Sequence, residues 1–168
     1  MIRVLFVCLG NICRSPMAEA VFRDLVRKKG LEDKIEVDSA GTGNWHVGAS
    51  PHEGTQKLLR EKGIDFSTIK AREFLSNDFG SFDYIIGMDR QNVLDMEKRA
   101  PKEGKTVTVT RLMDERLDLE HRDVPDPWYT GDFNLTYDLV KAGAEALLDR
   151  IIKEHHLEGK SQNESHKD

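Results

Sequence analysis

At 168 residues, 38% of them hydrophobic and 33% charged, the chain can bury a good core without disulfide or metal staples, and one compact domain is expected. The net charge of −5 excludes general affinity for nucleic acid, and no apolar run approaches the length that spans a bilayer. No basic-then-apolar leader precedes the first strand, so a cytoplasmic protein without membrane association is expected.

Ile2 to Val7 is a short apolar and β-branched run broken only by Arg3, which suits a buried strand. Gly10 and Asn11 then tolerate the backbone angles of a tight turn. Ser15 followed by Pro16 predicts a helix start, with Ser15 as N-cap and Pro16 in the first helical position. Met17, Ala20, Val21, Leu25 and Val26 recur at helical spacing, and Gly30 stops that helix. Ile35, Val37 and Ser39 suit a second strand that ends in Ala40-Gly41-Thr42-Gly43, and residues 43–51 read as a loop. Thr55, Leu58, Leu59 and Ile64 predict a helix over about 52–62, closed by Gly63.

A third strand is predicted at 83–87. Val93, Leu94 and Met96 fit a helix capped by Asp89 and ended before Pro101. Thr106 to Thr110 alternates β-branched residues and predicts a fourth strand. Residues 113–133 are charged, contain Pro125, Pro127 and Gly131, and read as a long loop of the kind that carries function. A last helix starts after Asp132 or Asn134, and Leu135, Leu139, Val140, Leu147, Leu148, Ile151 and Ile152 mark its buried face. Residues 159–168 offer nothing apolar of any size and predict a flexible tail on a domain of residues 1–158. Strands alternating with helices predict an α/β fold, a parallel sheet with helices on both faces. Ligands of such sheets bind at the carboxyl ends of the strands, where Cys8 lies.

The chemistry concentrates in Cys8-Leu9-Gly10-Asn11-Ile12-Cys13-Arg14-Ser15-Pro16. Amides of a loop wrapped onto a helix N-terminus make a cradle for an anion, and the same amides stabilise a thiolate at Cys8. Arg14 can clamp two oxygens of a tetrahedral oxyanion in its planar fork. A thiolate beneath a phosphate, with amides around it and a guanidinium beside it, predicts cleavage of a phosphate ester. Cys8 and Cys13 are the only cysteines. No Cys/His set at ligand spacing accompanies them, so neither a metal nor another cofactor is expected. Cys13 either packs beneath the loop or serves as redox partner, capturing an oxidised Cys8 in a reversible disulfide. Asp126 precedes Pro127 and on its own reads as the start of a turn.

Cys8 to Pro16 resembles the phosphate-binding loop of the low-molecular-weight protein tyrosine phosphatases. The resemblance extends to Asp38-Ser39-Ala40-Gly41-Thr42, Lys70-Ala71-Arg72, Asp83-Tyr84-Ile85-Ile86 with Met88-Asp89, and Asp126-Pro127-Trp128-Tyr129, about residues 2–156. It implies a single domain with four parallel strands in order 2-1-3-4 and the phosphate-binding loop after strand 1. It also implies hydrolysis of protein phosphotyrosine and small aryl phosphates through a cysteinyl-phosphate. Cys8 is then the nucleophile, Arg14 the phosphate clamp, and Asp126 the general acid for the leaving group and afterwards the base for water. Leu9, Gly10, Asn11, Ile12, Cys13 and Ser15 would surround the phosphate. Trp45, Trp128 and Tyr129 would flank the phenyl ring.

Asn11, Ser15 and Ser39 would form a supporting network. The family often carries a histidine just before Lys-Ala-Arg, where this chain has Ile69. The implied partners are a tyrosine-phosphorylated protein, a tyrosine kinase, and inorganic phosphate as product and inhibitor. Arginine-phosphate-specific relatives carry Thr at the position of Ile12, so Ile12 favours phosphotyrosine over phosphoarginine. An arsenate reductase on the same fold would need further cysteines, and none follows Cys13. A cysteine phosphocarrier would need neither Arg14 nor Asp126.

Overall fold

The computed structural model describes residues 1–104 and 106–158; the predicted tail, 159–168, lies outside the described residues. The first apolar run becomes β1 (Ile2–Cys8). Its alternating side chains explain why the run is continuous rather than every second residue. Val4, Phe6 and Cys8 point into one core and Leu5 and Val7 into another, so both faces of the strand are buried, as in a parallel sheet covered on two sides. The sheet is parallel throughout, in the order β2-β1-β3-β4, with β2 at Ile35–Gly41, β3 at Tyr84–Gly87 and β4 at Val109–Arg111. This is the architecture that the resemblance implied.

Helix α1 (Arg14–Lys28) and the long last helix, spanning Phe133–Glu154 and named α6 below, share the larger core. Phe6 and Phe22 meet there edge to face at 5.5 Å. Helix α2 (Glu53–Glu61) adds Leu58 and Leu59 to the same side. The opposite core holds Phe74, Phe79, Phe82, Ile85 and Met96. Gly30 ends α1 at φ 68°, with Leu31 N bonded back to Val26 O, the left-handed stop that its glycine allows. Helix α4 (Arg90–Glu97) starts at Asp89, whose Oδ1 accepts from Asn92 N at 2.8 Å. The last helix starts after Asp132, which accepts from Leu135 N at 3.0 Å.

Four expectations are corrected. Helix α1 begins at Arg14, with Cys13 in the cap position and no side-chain cap. Ser15 is therefore inside the first turn and Pro16 is its third residue; the open amides of that turn face the anion cradle and need no cap of their own. The fourth strand is Val109–Arg111, not 106–110. It pairs only with Ile85–Gly87, and so short a neighbour cannot hold a longer edge strand. Helix α3 (Asp78–Ser81) escaped the sequence reading; four residues are too few to show a helical period. Finally, the loop over 113–133 contains structure: a 3-10 turn at Leu112–Glu115 and the short α5 (Pro127–Thr130). Among the described residues no helix is long and apolar enough to cross a membrane.

Candidate active site

Cys8 stands at the carboxyl end of β1, 3% exposed. The loop that follows has its carbonyls held outward. Thr42 N donates to Cys8 O (2.9 Å), Gly43 N to Leu9 O (2.8 Å), His52 N to Ile12 O (2.7 Å), and Thr55 Oγ1 to Cys13 O (3.2 Å). In a trans peptide the next N–H points the opposite way, and no bond of this loop is cis. The amides of Leu9, Gly10, Cys13 and Arg14 are thereby turned inward, toward the space above the sulfur.

Asn11 makes that turn possible. Among the described residues it is one of two non-glycine residues with positive φ (57°), and Asn tolerates the left-handed region better than most. Its side chain is fully committed. Oδ1 accepts from Arg72 N at 3.0 Å, and Nδ2 donates to Ser15 Oγ at 2.8 Å and Ser39 Oγ at 3.0 Å. Ser15 Oγ lies 2.9 Å from Cys8 Sγ and 3.4 Å from Ala40 O, so its proton can turn to the sulfur when that is a thiolate. Asn11 N lies 3.3 Å from the same sulfur. Asn11 and Ser15 thus work beneath the loop through their side chains rather than lining the cavity.

The network continues to a residue that sequence reasoning missed. Ser39 Oγ donates to Glu19 Oε1 at 2.6 Å, and Arg23 pairs with the same carboxylate. Burial pushes the Glu19 carboxyl above its ordinary value, while Ser39 and Arg23 pull it back. The available signal was an acid among Met17, Ala18, Ala20 and Val21, all buried on one helix. Ile69 is buried in the core, and the network ends on Arg23 instead.

Arg14 is 3% exposed at its side chain. Nη1 donates to Asp89 Oδ2 (2.6 Å) and Val124 O (2.9 Å), and Nη2 lies 3.5 Å from Asp126 Oδ2. Nε is buried and has no partner among the described residues. Burial works against the guanidinium charge, but Cys8, Asp89 and Asp126 outweigh it and raise its pKa. Asp89, expected only as a helix cap, performs both tasks with its two oxygens. Asp126 is likewise both a turn residue and a site residue. Oδ1 accepts from Trp128 N at 3.0 Å, capping α5, which leaves Oδ2 toward Arg14.

A cavity of about 230 Å³ opens above Cys8. Leu9, Gly10, Ile12, Cys13, Trp45, Asp126, Trp128 and Tyr129 line it, together with His46, which the sequence reading did not single out. Trp45, Trp128 and Tyr129 are 69%, 54% and 77% exposed and form an aromatic rim. Cys13 is buried, and its thiol is pushed up to about 12, first by burial and then by the charges of Cys8 and Asp126. Asp123 sits apart from the sulfur, accepting from Arg90 N at 3.0 Å and Arg111 Nη1 at 3.3 Å. Among the described residues no three His, Cys, Asp or Glu side chains gather as metal ligands.

Residues 3–157 match the sequence profile of a family described as low molecular weight phosphotyrosine protein phosphatase. The chain is 54% identical over 157 residues to the low molecular weight protein-tyrosine-phosphatase YfkJ of Bacillus subtilis, covering 94% of this chain and 100% of that protein. It is 42% identical over 158 residues to the phosphatase PtpA of Staphylococcus aureus, covering 94% and 98%. The crystal structure of YfkJ superposes with a TM-score of 0.88 at 55% identity, over 92% of this chain and 96% of that one.

Proposed function

The chain belongs to the low molecular weight phosphotyrosine protein phosphatase family, and on that premise we propose that Cys8, Arg14 and Asp126 carry out its hydrolysis of protein phosphotyrosine. The thiolate of Cys8 attacks phosphorus, a P–S bond forms, and the P–O bond to the tyrosyl oxygen breaks. Asp126 gives its proton to that oxygen as it leaves. The inward amides and the free edge of Arg14 stabilise the charge spread over the phosphoryl oxygens, a function for which their geometry is set before substrate arrives. In the second step Asp126 takes a proton from water, the water oxygen attacks phosphorus, and the P–S bond breaks to release inorganic phosphate. Ser15 Oγ, 2.9 Å from Sγ, is placed to donate a hydrogen bond to the attacking sulfur in the first step and to the departing sulfur in the second.

The observation that carries this reading is the single cluster in which Arg14 lies between Asp89 and Asp126 at the edge of the Cys8 loop. The three-sided aromatic rim and the apolar Ile12 support an aryl phosphate as substrate, one presented on a protein surface. A tyrosine kinase that makes this substrate is the matching partner, and phosphate, which fits the same cradle, inhibits as product. The two free cysteines fit a reducing, cytoplasmic setting, and Cys13 is the resolving thiol if Cys8 is oxidised. Residues 1–158 constitute the catalytic domain.

Cys8→Ser should abolish turnover of a phosphotyrosyl peptide. Asp126→Asn should lower kcat/KM on the same peptide by about 10²–10⁴-fold, the usual share of a general acid, and by less on aryl phosphates with weakly basic leaving groups. Asp123→Asn, whose carboxylate serves Arg90 and Arg111, should keep the wild-type leaving-group dependence. The acid is misassigned if that dependence changes in Asp123→Asn and not in Asp126→Asn.

A further inference from the structure

The segment that carries Asp126 is anchored on its backbone side, where Val124 is buried, its N–H donates to Met88 O and Pro125 O accepts from Thr136 Oγ1, but the aromatic side chains of α5 are more than half exposed. Trp128 nevertheless has two ring neighbours, His46 at 6.0 Å in a tilted arrangement and, nearer, His52. The ring of His52 meets its indole edge to face, at 5.6 Å and 77°. His52 is itself held on three other sides. Its N–H donates to Ile12 O in the phosphate-binding loop at 2.7 Å, its Nδ1 accepts from Gly54 N at 3.0 Å at the start of α2, and its ring stacks on Phe133 at 5.3 Å and 21°. The Phe133 ring in turn lies close over Gly54, where a Cβ would come within 2.4 Å of it. Trp128 passes the constraint on, since its backbone N–H donates to Asp126 Oδ1. A continuous chain of contacts therefore runs from the phosphate-binding loop through His52 and Trp128 to the carboxylate.

We propose that His52 is a positioning residue that sets the carboxylate of Asp126 relative to the phosphate-binding loop, through its ring against Trp128. The proposal rests on the reading of Asp126 as the acid. The imidazole touches neither phosphate nor leaving group. It acts by denying Trp128, and with it the α5 cap, the sideways movement that would carry Oδ2 off the line to the leaving oxygen. Misplacement by about 1 Å can slow a step by about 10²-fold.

Two substitutions separate this role from the helix cap that His52 also provides. His52→Asn keeps an acceptor for Gly54 N and loses the ring; His52→Phe keeps a ring and loses the acceptor. The measurement is the ratio of kcat/KM for 2,4-dinitrophenyl phosphate to that for phenyl phosphate, whose leaving group is far more basic. His52→Asn should raise this ratio by about 10-fold or more, within the range that such misplacement allows. His52→Phe should keep the wild-type ratio while melting at lower temperature. In the Asp126→Asn background His52→Asn should change the ratio no further, because the two substitutions then remove one and the same contribution. Inhibition by inorganic phosphate, measured on each variant, reports whether the cradle stays intact. A raised ratio in Asp126→Asn with a wild-type ratio in His52→Asn overturns this proposal alone. A raised ratio in both His52 variants overturns it too and leaves His52 as a cap. An unchanged ratio in Asp126→Asn overturns the acid assignment itself, and this proposal with it.

Discussion

Replacing Asp89 tests the idea that one carboxylate holds both the clamp and a helix. Oδ2 receives Arg14 Nη1 at 2.6 Å while Oδ1 receives Asn92 N at 2.8 Å. Asn at position 89 can still cap α4, but it no longer offers a charge to a guanidinium that is 3% exposed. Removing one partner of a fully buried pair costs about 3–5 kcal/mol. Here Asp89 keeps 23% of its side chain in solvent and Arg14 retains Val124 O and Asp126, so the loss should sit lower, at about 2–3 kcal/mol, the range of a hydrogen bond to a charged group. Asp89→Ala loses the cap as well, about 1 kcal/mol more. Urea unfolding of the two variants should therefore give two separate steps below wild type. In both, kcat/KM on p-nitrophenyl phosphate should fall by at least about 10-fold, since an Arg14 without its shortest contact is held less accurately beside the phosphate. Wild-type stability in Asp89→Asn would refute the buried pair, and equal stability of the Asn and Ala variants would refute the cap.

Glu19 makes a pH prediction. Burial holds its folded value above the unfolded one, so its contribution is fully present below the unfolded pKa of about 4.3 and is lost as pH rises through the folded value. Glu19→Gln should flatten that decline in urea midpoints taken from about pH 4 upward, and parallel curves would refute it. Cys13, with its thiol pushed up to about 12, should resist iodoacetamide at neutral pH while Cys8 takes the label and phosphate protects it; peptide mapping that finds Cys13 labelled first would contradict this. Gly143→Ala should be destabilising although Ala favours helices by about 1 kcal/mol. The new Cβ would lie 2.6 Å from Leu112 Cγ, whose side chain is fully buried, and overpacking costs about 1–3 kcal/mol. A raised melting temperature would show that Leu112 can yield.

What the amino-acid order settled unaided were features decided within a few residues. The two-faced burial of β1 shows in an apolar run broken only by Arg3. Gly30 stops a helix because its backbone can turn left-handed, and Asp89 and Asp132 start helices because a short acid reaches an amide three positions on. The spacing of Cys8, Arg14 and Ser15 placed the nucleophile on a helix N-terminus even though the cap was misjudged. Tertiary structure decided the rest. The second use of Asp89, the burial of Glu19 under Ser39, and His52 against Trp128 join residues far apart in the chain. Glu19 and His52 read locally as ordinary polar surface residues, and Asp89 reads only as a helix cap. Only the parallel order β2-β1-β3-β4 brings the ends of β1, β2 and β3 to one edge, where an unpaired charge would be too costly to bury and so must find its partner across the fold.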